Sequence, residues 1–326
     1  MARQTIDFHA HIVPEAYTRA LRAAGFVNAD GTLLADGYPV PNWSVDDTIR
    51  CMDKHEIAAS VLSVSSPGTQ FLPIEDNRRL CRQLNEELAS IVKAYPRRFA
   101  NLAALPLPDV DAALKEIDFA FDERGFDGVG LFSSYEGRYL GDSLFDPVLE
   151  RLNDRGATLF IHPVQPAAFD TIGLGLPSPI LEFPFDSTRM LTNLLRSGAL
   201  GRFTKLNMVV PHGGGTVPFL ATRITGSVAR FPGRGGPISI ANAMQQLRSV
   251  HYDLTAMGHK TNLAILKEFV AVDRLVVGYD YPYMPEATIA PHIRTFDGFA
   301  GFSEEEKETI RTRNAMRLLP RLKALV

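Results

Sequence analysis

The chain is read as one α/β domain built as a (β/α)8 (TIM) barrel, with a small insertion after the first strand and a lid-like loop after the fifth. Three observations lead there. Short apolar, β-branched runs alternate with amphipathic segments eight times along the chain. The runs carry no polar alternation, as expected of parallel strands buried on both faces. The length of 326 residues suits a single barrel of about 250 residues with insertions. A doubly wound sheet is the alternative, but the Gly-x-Gly-x-x-Gly fingerprint of a dinucleotide site is absent.

Taken in order, Thr5 to Pro14 opens as a strand and Pro14 to Ala24 follows as a helix, with proline in its first turn and Gly25 closing it. Residues 25–43, rich in Gly, Asp and Pro and holding the single tryptophan, Trp43, read as an inserted hairpin. Ser44 with Asp46 and Asp47 caps a helix over Val45 to His55. Ala58 to Val64, Phe99 to Leu105 and Gly128 to Phe132 are the next strands; Ile74 to Tyr95 and Val110 to Arg124 are the helices between them. The second half continues with strands Thr158 to His162, Leu206 to Pro211, His251 to Thr255 and Arg274 to Gly278. Its helices are Phe145 to Arg155, Asp186 to Ser197, a segment from the glycines after His212 to Arg230, Lys260 to Val270, and Ser303 onward. A single domain, 1–326, accounts for all of it, with 163–186 as the active-site loop.

Composition narrows the function. Hydrophobic residues make up 45%, charged residues 22%, and the net charge is -3, with both signs spread along the chain, so neither nucleic acid nor a membrane surface is an expected partner. The two cysteines, Cys51 and Cys81, have no Cys-x-x-Cys spacing, which fits a reducing cytoplasm. No stretch approaches the roughly 20 apolar residues that span a bilayer.

The first strand holds the pair on which the site is built. Strand side chains repeat every second residue, so His9 and His11 face one side. In a barrel the C-terminal strand ends gather at one mouth, and three further groups fall at such ends: His162 after the fifth strand, His212 after the sixth and Asp280 after the eighth. His9, His11, His162 and Asp280 together make a divalent-metal site with a position left open. A metal there lowers the pKa of a bound water to about 7, and His212 takes or returns the proton. Asp280 could serve the same water. His55, His251, His259 and His292 stay outside this set by position. His-Gly-Gly-Gly at 212–215 resembles the oxyanion loop of some hydrolases, but no Gly-x-Ser-x-Gly accompanies it, so the glycines are expected to open a helix with N–H groups facing an anion.

Several segments carry a resemblance: Ile6-Asp7-Phe8-His9-Ala10-His11-Ile12-Val13-Pro14, Ile49-Arg50-Cys51-Met52-Asp53, Tyr95-Pro96-Arg97-Arg98-Phe99, His162-Pro163, Pro211-His212-Gly213-Gly214-Gly215, Pro218-Phe219, Arg223-Ile224 and Asp280-Tyr281-Pro282. Over nearly the whole chain they resemble the amidohydrolase-superfamily branch of 2-amino-3-carboxymuconate-6-semialdehyde decarboxylase, which includes γ-resorcylate, 5-carboxyvanillate and 6-methylsalicylate decarboxylases. The resemblance implies the same ligands, the same acid/base His212, and a homodimer. It adds Arg50 and Arg223 as clamps for a substrate carboxylate, Arg223 reaching it from the neighbouring subunit.

The chain departs from that pattern in the loop after the fifth strand. The semialdehyde decarboxylase has an active-site tryptophan there, whereas 163–186 offers Phe169, Ile172, Leu174, Leu176, Phe183 and Phe185; of these, Phe183 is taken as a substrate contact. A more apolar lid suggests an aromatic acid. Other members carry an acidic ligand in the first-strand motif, so His9 and His11 favour Zn2+ over Mn2+. The implied activity is metal-dependent, non-oxidative decarboxylation of an ortho-hydroxybenzoate such as 6-methylsalicylate, or of an unsaturated carboxylic acid. Asp280 is the candidate carbon acid. The alternative is a metal-dependent hydrolase acting on a lactone, amide or carbon-carbon bond.

Overall fold

A computed structural model describes residues 4–256 and 258–324. Eight parallel strands form the barrel: β1 (Thr5–Ile12), β2 (Ile57–Val64), β3 (Phe99–Ala104), β4 (Gly128–Phe132), β5 (Thr158–His162), β6 (Asn207–Val210), β7 (His251–Asp253) and β8 (Leu275–Val276), adjacent in that order. The ring closes between first and last strands. Phe8 N–H bonds to Val277 O at 2.8 Å, His11 N–H to Tyr281 O at 2.8 Å and Asp280 N–H to His9 O at 2.7 Å.

Helices cover the outside, and the large core between them and the sheet runs through Tyr17, Met52, Leu84, Leu149, Leu191 and Leu247. A second, smaller cluster fills the inside of the barrel: Ile6, Phe8, Val61, Leu102, Phe160 and Val209, closed from below by Leu318, Leu319 and Leu322 of the C-terminal segment. Strict alternation would aim His9 and His11 away from the side that takes Ile6 and Phe8. A register shift between Asp7 and Ala10 on β1 resolves this. Consecutive Phe8 and His9 both lie against Phe160, with centroids 6.4 and 4.8 Å away, as expected where an extra residue re-aims a strand's side chains.

Several connections differ from the sequence reading. The 25–43 insertion does contain a hairpin, Leu34–Ala35 with Tyr38–Pro39. The segment after β5 is not an open loop to residue 186: a short helix, Phe169–Ile172, precedes a long one, Ser178–Arg196, that carries Pro184 in its interior. Pro184 reads as a breaker, yet the helix starts well before it, with Pro179 in its first turn. Tertiary burial of Phe183, Asp186, Met190 and Leu191 outweighs one lost backbone hydrogen bond. Helices Ile240–Ser249 and Ile289–Asp297 are additions that the sequence reading left as connections.

The 212–215 run also differs. It forms a tight turn, and the helix begins only at Val217. Gly214 N–H bonds to Pro211 O and Gly215 N–H to His212 O, so these donors are spent inside the turn and do not face an anion. Gly215, at φ 65°, passes so close to Pro184 O that a Cβ there would sit 2.0 Å from it, which only glycine tolerates. Among the described residues no helix is long and apolar enough to cross a membrane.

Candidate active site

Prolines mark the strand ends that carry the site. Ile12 is followed by Val13-Pro14, His162 by Pro163, Val210 by Pro211-His212, and Asp280 by Tyr281-Pro282. Proline has no N–H for a ladder, so no strand continues past its polar groups, whether these lie within it, as His9, His11 and His162 do, or beyond it, as His212 and Asp280 do. His212 and Asp280 both adopt left-handed backbone, at φ 55° and 59°, a strained state that non-glycine residues hold when surrounding contacts enforce it.

These residues converge. His9 Nε2 and His11 Nε2 are 2.9 Å apart, and Asp280 Oδ1 lies 3.3 Å from the first and 3.0 Å from the second. The His162 ring stands 5.4 Å from that of His9 and 5.1 Å from that of His11. One ligand atom from each of His9, His11, His162 and Asp280 falls within 4.8 Å of all the others. His212 Nε2 sits 3.8 Å from Asp280 Oδ2.

The other nitrogen of each ligand histidine is tied down. His9 Nδ1 meets Asp253 Oδ2 at 2.7 Å and Thr255 Oγ1 at 3.0 Å; His11 Nδ1 meets Ser63 Oγ at 3.0 Å; His162 Nδ1 meets the Pro163 carbonyl at 2.7 Å. With Nδ1–H donating outward, each Nε2 is the atom left to face inward, the arrangement that orients metal-bound imidazoles. Asp253 acts twice, since its Oδ1 also accepts the His212 N–H at 2.8 Å. Sequence reasoning passed over it, although an acid at the end of β7 is the same signal that picked out Asp280.

The electrostatics suit a cation. Burial holds His11 below the ordinary imidazole pKa and His162 well below it, which keeps both neutral and able to ligate. Burial opposes charge on His9 as well, but Asp280 and Asp253 overcome it and raise its pKa to about 10. Without a metal, a proton on His9 supplies the positive charge that the two carboxylates demand. Burial also opposes ionisation of Asp280, yet the His9 charge and its histidine contacts hold it well below the carboxylate range. Its Oδ1 is buried without a well-formed hydrogen bond. Three converging imidazoles and one ionised carboxylate therefore fit a divalent ion with a position open.

The cluster opens into a cavity of about 400 Å3 whose lining includes His162, His212, Asp280, Phe183, Ile180 and Tyr283. Phe183, on the long helix after β5, stacks edge-on to His162 at 5.6 Å. Asp186 on the same helix accepts from Tyr139 Oη at 2.6 Å, from Val164 N–H at 3.3 Å and from Ser133 Oγ, which anchors the segment leaving His162.

The two arginines are not brought to the cavity. Arg50 is an exposed helix residue paired with Asp47. Arg223 lines a separate surface groove with Tyr139, Arg189 and Phe231. His55 stays out of the centre as expected, but joins Cys51 and Glu286 in a second cluster of metal-competent groups. There Glu286 is shared between Lys54 at 2.6 Å and His55 at 3.2 Å.

A parallel barrel with imidazole and carboxylate ligands at its mouth defines a class of metal-dependent enzymes. The chain belongs to the amidohydrolase family, whose sequence profile matches residues 6–321. It is 32% identical to "Decarboxylase yanB" of Aspergillus niger over 97% of this chain and 87% of the relative. It is 31% identical to a 6-methylsalicylic acid decarboxylase of Penicillium expansum over 98% of each. A dihydroxybenzoic acid decarboxylase of a Polaromonas species, solved with manganese and the inhibitor 2-nitroresorcinol, superposes with a TM-score of 0.82 over 98% of this chain and 97% of that one, at 22% identity.

Proposed function

We propose that this protein is a metal-dependent, non-oxidative decarboxylase of an aromatic acid of the ortho-hydroxybenzoate type, 6-methylsalicylate being the first candidate. The observation that carries the reading is that His162, His212, Asp280 and Phe183 line one cavity, so ligands, proton carriers and an aromatic contact meet the same bound molecule. Full-length similarity to a 6-methylsalicylic acid decarboxylase supports the choice of acid.

His9, His11, His162 and Asp280 would hold the ion, with Zn2+ ahead of Mn2+ for a donor set dominated by imidazole. When bound, the ion supplies Lewis acidity that polarises an oxygen of the acid. The remaining work falls to the chain itself. Breaking the bond to CO2 leaves an electron pair on the ring carbon, so that carbon must gain a proton. Asp280, lining the cavity and 3.8 Å from His212 Nε2, is the proposed carbon acid: ionised at rest, it takes a proton from the protonated His212 ring and passes it to the ring carbon. Phe183 packs the ring and, with Ile180, excludes water.

In the same reading the protein works as a cytoplasmic homodimer, and Arg223 serves the carboxylate bound in a neighbouring copy. Its place in a groove apart from its own cavity, and the exposure of Phe219 on the same helix and of Phe231 at that helix's C-terminal end, support this. Arg50 would have to exchange Asp47 for the substrate. The test is release of CO2 from a panel of hydroxybenzoates that includes 6-methylsalicylate. Stoichiometric phenol and CO2 are expected. A product with water added and the carboxyl kept would point to hydrolase chemistry and overturn the reading.

A further inference from the structure

One wall of the cavity has no part in the chemistry above. It is the inserted hairpin, whose strands Leu34–Ala35 and Tyr38–Pro39 are joined by Asp36 and Gly37. Both turn residues are left-handed, at φ 54° and 76°, as a type I′ turn requires, and Asp-Gly is a favoured pair there. The turn explains the backbone but not where the side chain goes. The Asp36 carbonyl accepts Ser178 N–H at 3.0 Å and Ser178 Oγ at 3.1 Å, which fastens the hairpin tip to the start of the helix bearing Phe183. Asp36 thereby joins Ser66 and Tyr283 in the cavity lining.

Three features of this wall call for a polar ligand. The carboxyl has no cationic partner among the described residues, and burial pushes its pKa up to about 6 against the pull of the Ser66 hydroxyl. Tyr283 Oη is buried without a hydrogen bond, and Ser66 Oγ has no partner apart from its pull on the Asp36 carboxyl. The Tyr283 ring also stacks edge-on to His11 at 5.7 Å, so this wall is continuous with the metal-ligand cluster. Unsatisfied buried polar atoms are costly, and a site built around them discriminates against a ligand that leaves them unpaired.

We propose that Asp36, with Ser66 and Tyr283, forms a specificity-determining subsite that accepts a second hydrogen-bond donor on the aromatic acid, a ring hydroxyl or amine distant from the reacting carboxyl. The inference rests on the decarboxylase reading for the identity of the acid. Charge sets the orientation: Asp36 repels the substrate carboxylate, which turns toward the histidine cluster, and accepts a proton donor at the other end of the ring. A ring bearing only alkyl groups or hydrogen there, as 6-methylsalicylate does, leaves the carboxylate unpaired, so the subsite ranks acids with a second ring donor above that first candidate.

Asp36→Asn is the informative variant, because Asn-Gly forms the same turn while the charge and one acceptor oxygen are lost. CO2 release is measured for salicylate and for the dihydroxybenzoates that keep a hydroxyl beside the carboxyl, using metal-loaded protein. At least one dihydroxy acid is expected to exceed salicylate in kcat/KM by about tenfold, and Asp36→Asn to cut that ratio by about tenfold or more. No preference in the wild type, or one common factor of loss for every acid, overturns the subsite. Calorimetric binding of phenol, catechol, resorcinol and hydroquinone reads it without turnover. If no acid releases CO2 but a diphenol binds about tenfold tighter than phenol and loses that advantage in Asp36→Asn, the decarboxylase reading fails and the subsite stands. Equal binding of phenol and all diphenols overturns the subsite alone.

Discussion

The lower and upper halves of the barrel interior are made by the same strands from opposite materials. Below, Ile6, Phe8, Val61, Leu102 and Val209 close on Leu318, Leu319 and Leu322 in an apolar cluster. Above, β1, β5, β7 and the ends of β6 and β8 supply His9, His11, His162, Asp253, His212 and Asp280, two of them on left-handed backbone. Phe160 is the boundary, touching Phe8 on one side and His9 on the other. Stability is thus concentrated in a layer indifferent to the chemistry, and that layer supports a mouth whose polar groups are costly to assemble. Substitutions should separate the two.

The sharpest break comes from the upper layer. His9→Ala or His162→Ala should lower activity by more than about a thousandfold and abolish tight metal binding, while circular dichroism still reports a folded barrel. Metal retained at one ion per chain would refute the assignment. The mirror experiment is Leu319→Ala, which should cost about 2–4 kcal/mol of stability by denaturant titration and leave metal stoichiometry unchanged. A parallel loss of metal would show that the layers are coupled.

Acid should weaken the scaffold through a histidine that the metal does not use. Burial and the nearby Arg274 push His251 down to about 4 from 6.5. The unfolded chain therefore binds the extra proton between those values, so stability falls as pH drops from about 6.5 to 4, by at most about 3 kcal/mol. His251→Gln should flatten that part of the pH profile of Tm. The smallest expected effect sharpens the contrast. Asp253→Asn keeps an acceptor for the His212 N–H but weakens the grip on His9 Nδ1, and should reduce metal affinity about 10- to 100-fold, read by competition with a chelator. A change in Tm without a change in metal affinity would make Asp253 a purely structural residue.

The barrel was legible because buried parallel strands are written as unbroken apolar runs, and the ligand candidates because His9 and His11 alternate on one strand while His162, His212 and Asp280 fall at later strand ends. The register shift at Asp7 to Ala10 was not, since nothing in Asp7-Phe8-His9 distinguishes a bulge from regular alternation. The helix across Pro184 was hidden because local propensity forbids what burial of Phe183 and Asp186 enforces. Asp36 was not singled out within the 25–43 hairpin, because its place in the cavity wall depends on Ser178, far along the chain. The arginines are a different case: both match in sequence, but Arg50 sits exposed against Asp47 and Arg223 lies in a groove apart from its own cavity, and a contribution to a neighbouring copy is not readable from one chain.

The most direct test is to strip the protein of metal and add Zn2+ or Mn2+ back stepwise while following CO2 release from the best hydroxybenzoate. Activity should rise in proportion to bound metal and level off at one ion per chain, and His9→Ala should remain flat throughout. Full activity in the stripped protein, or metal bound at one ion per chain with no CO2 from any acid, would contradict the account.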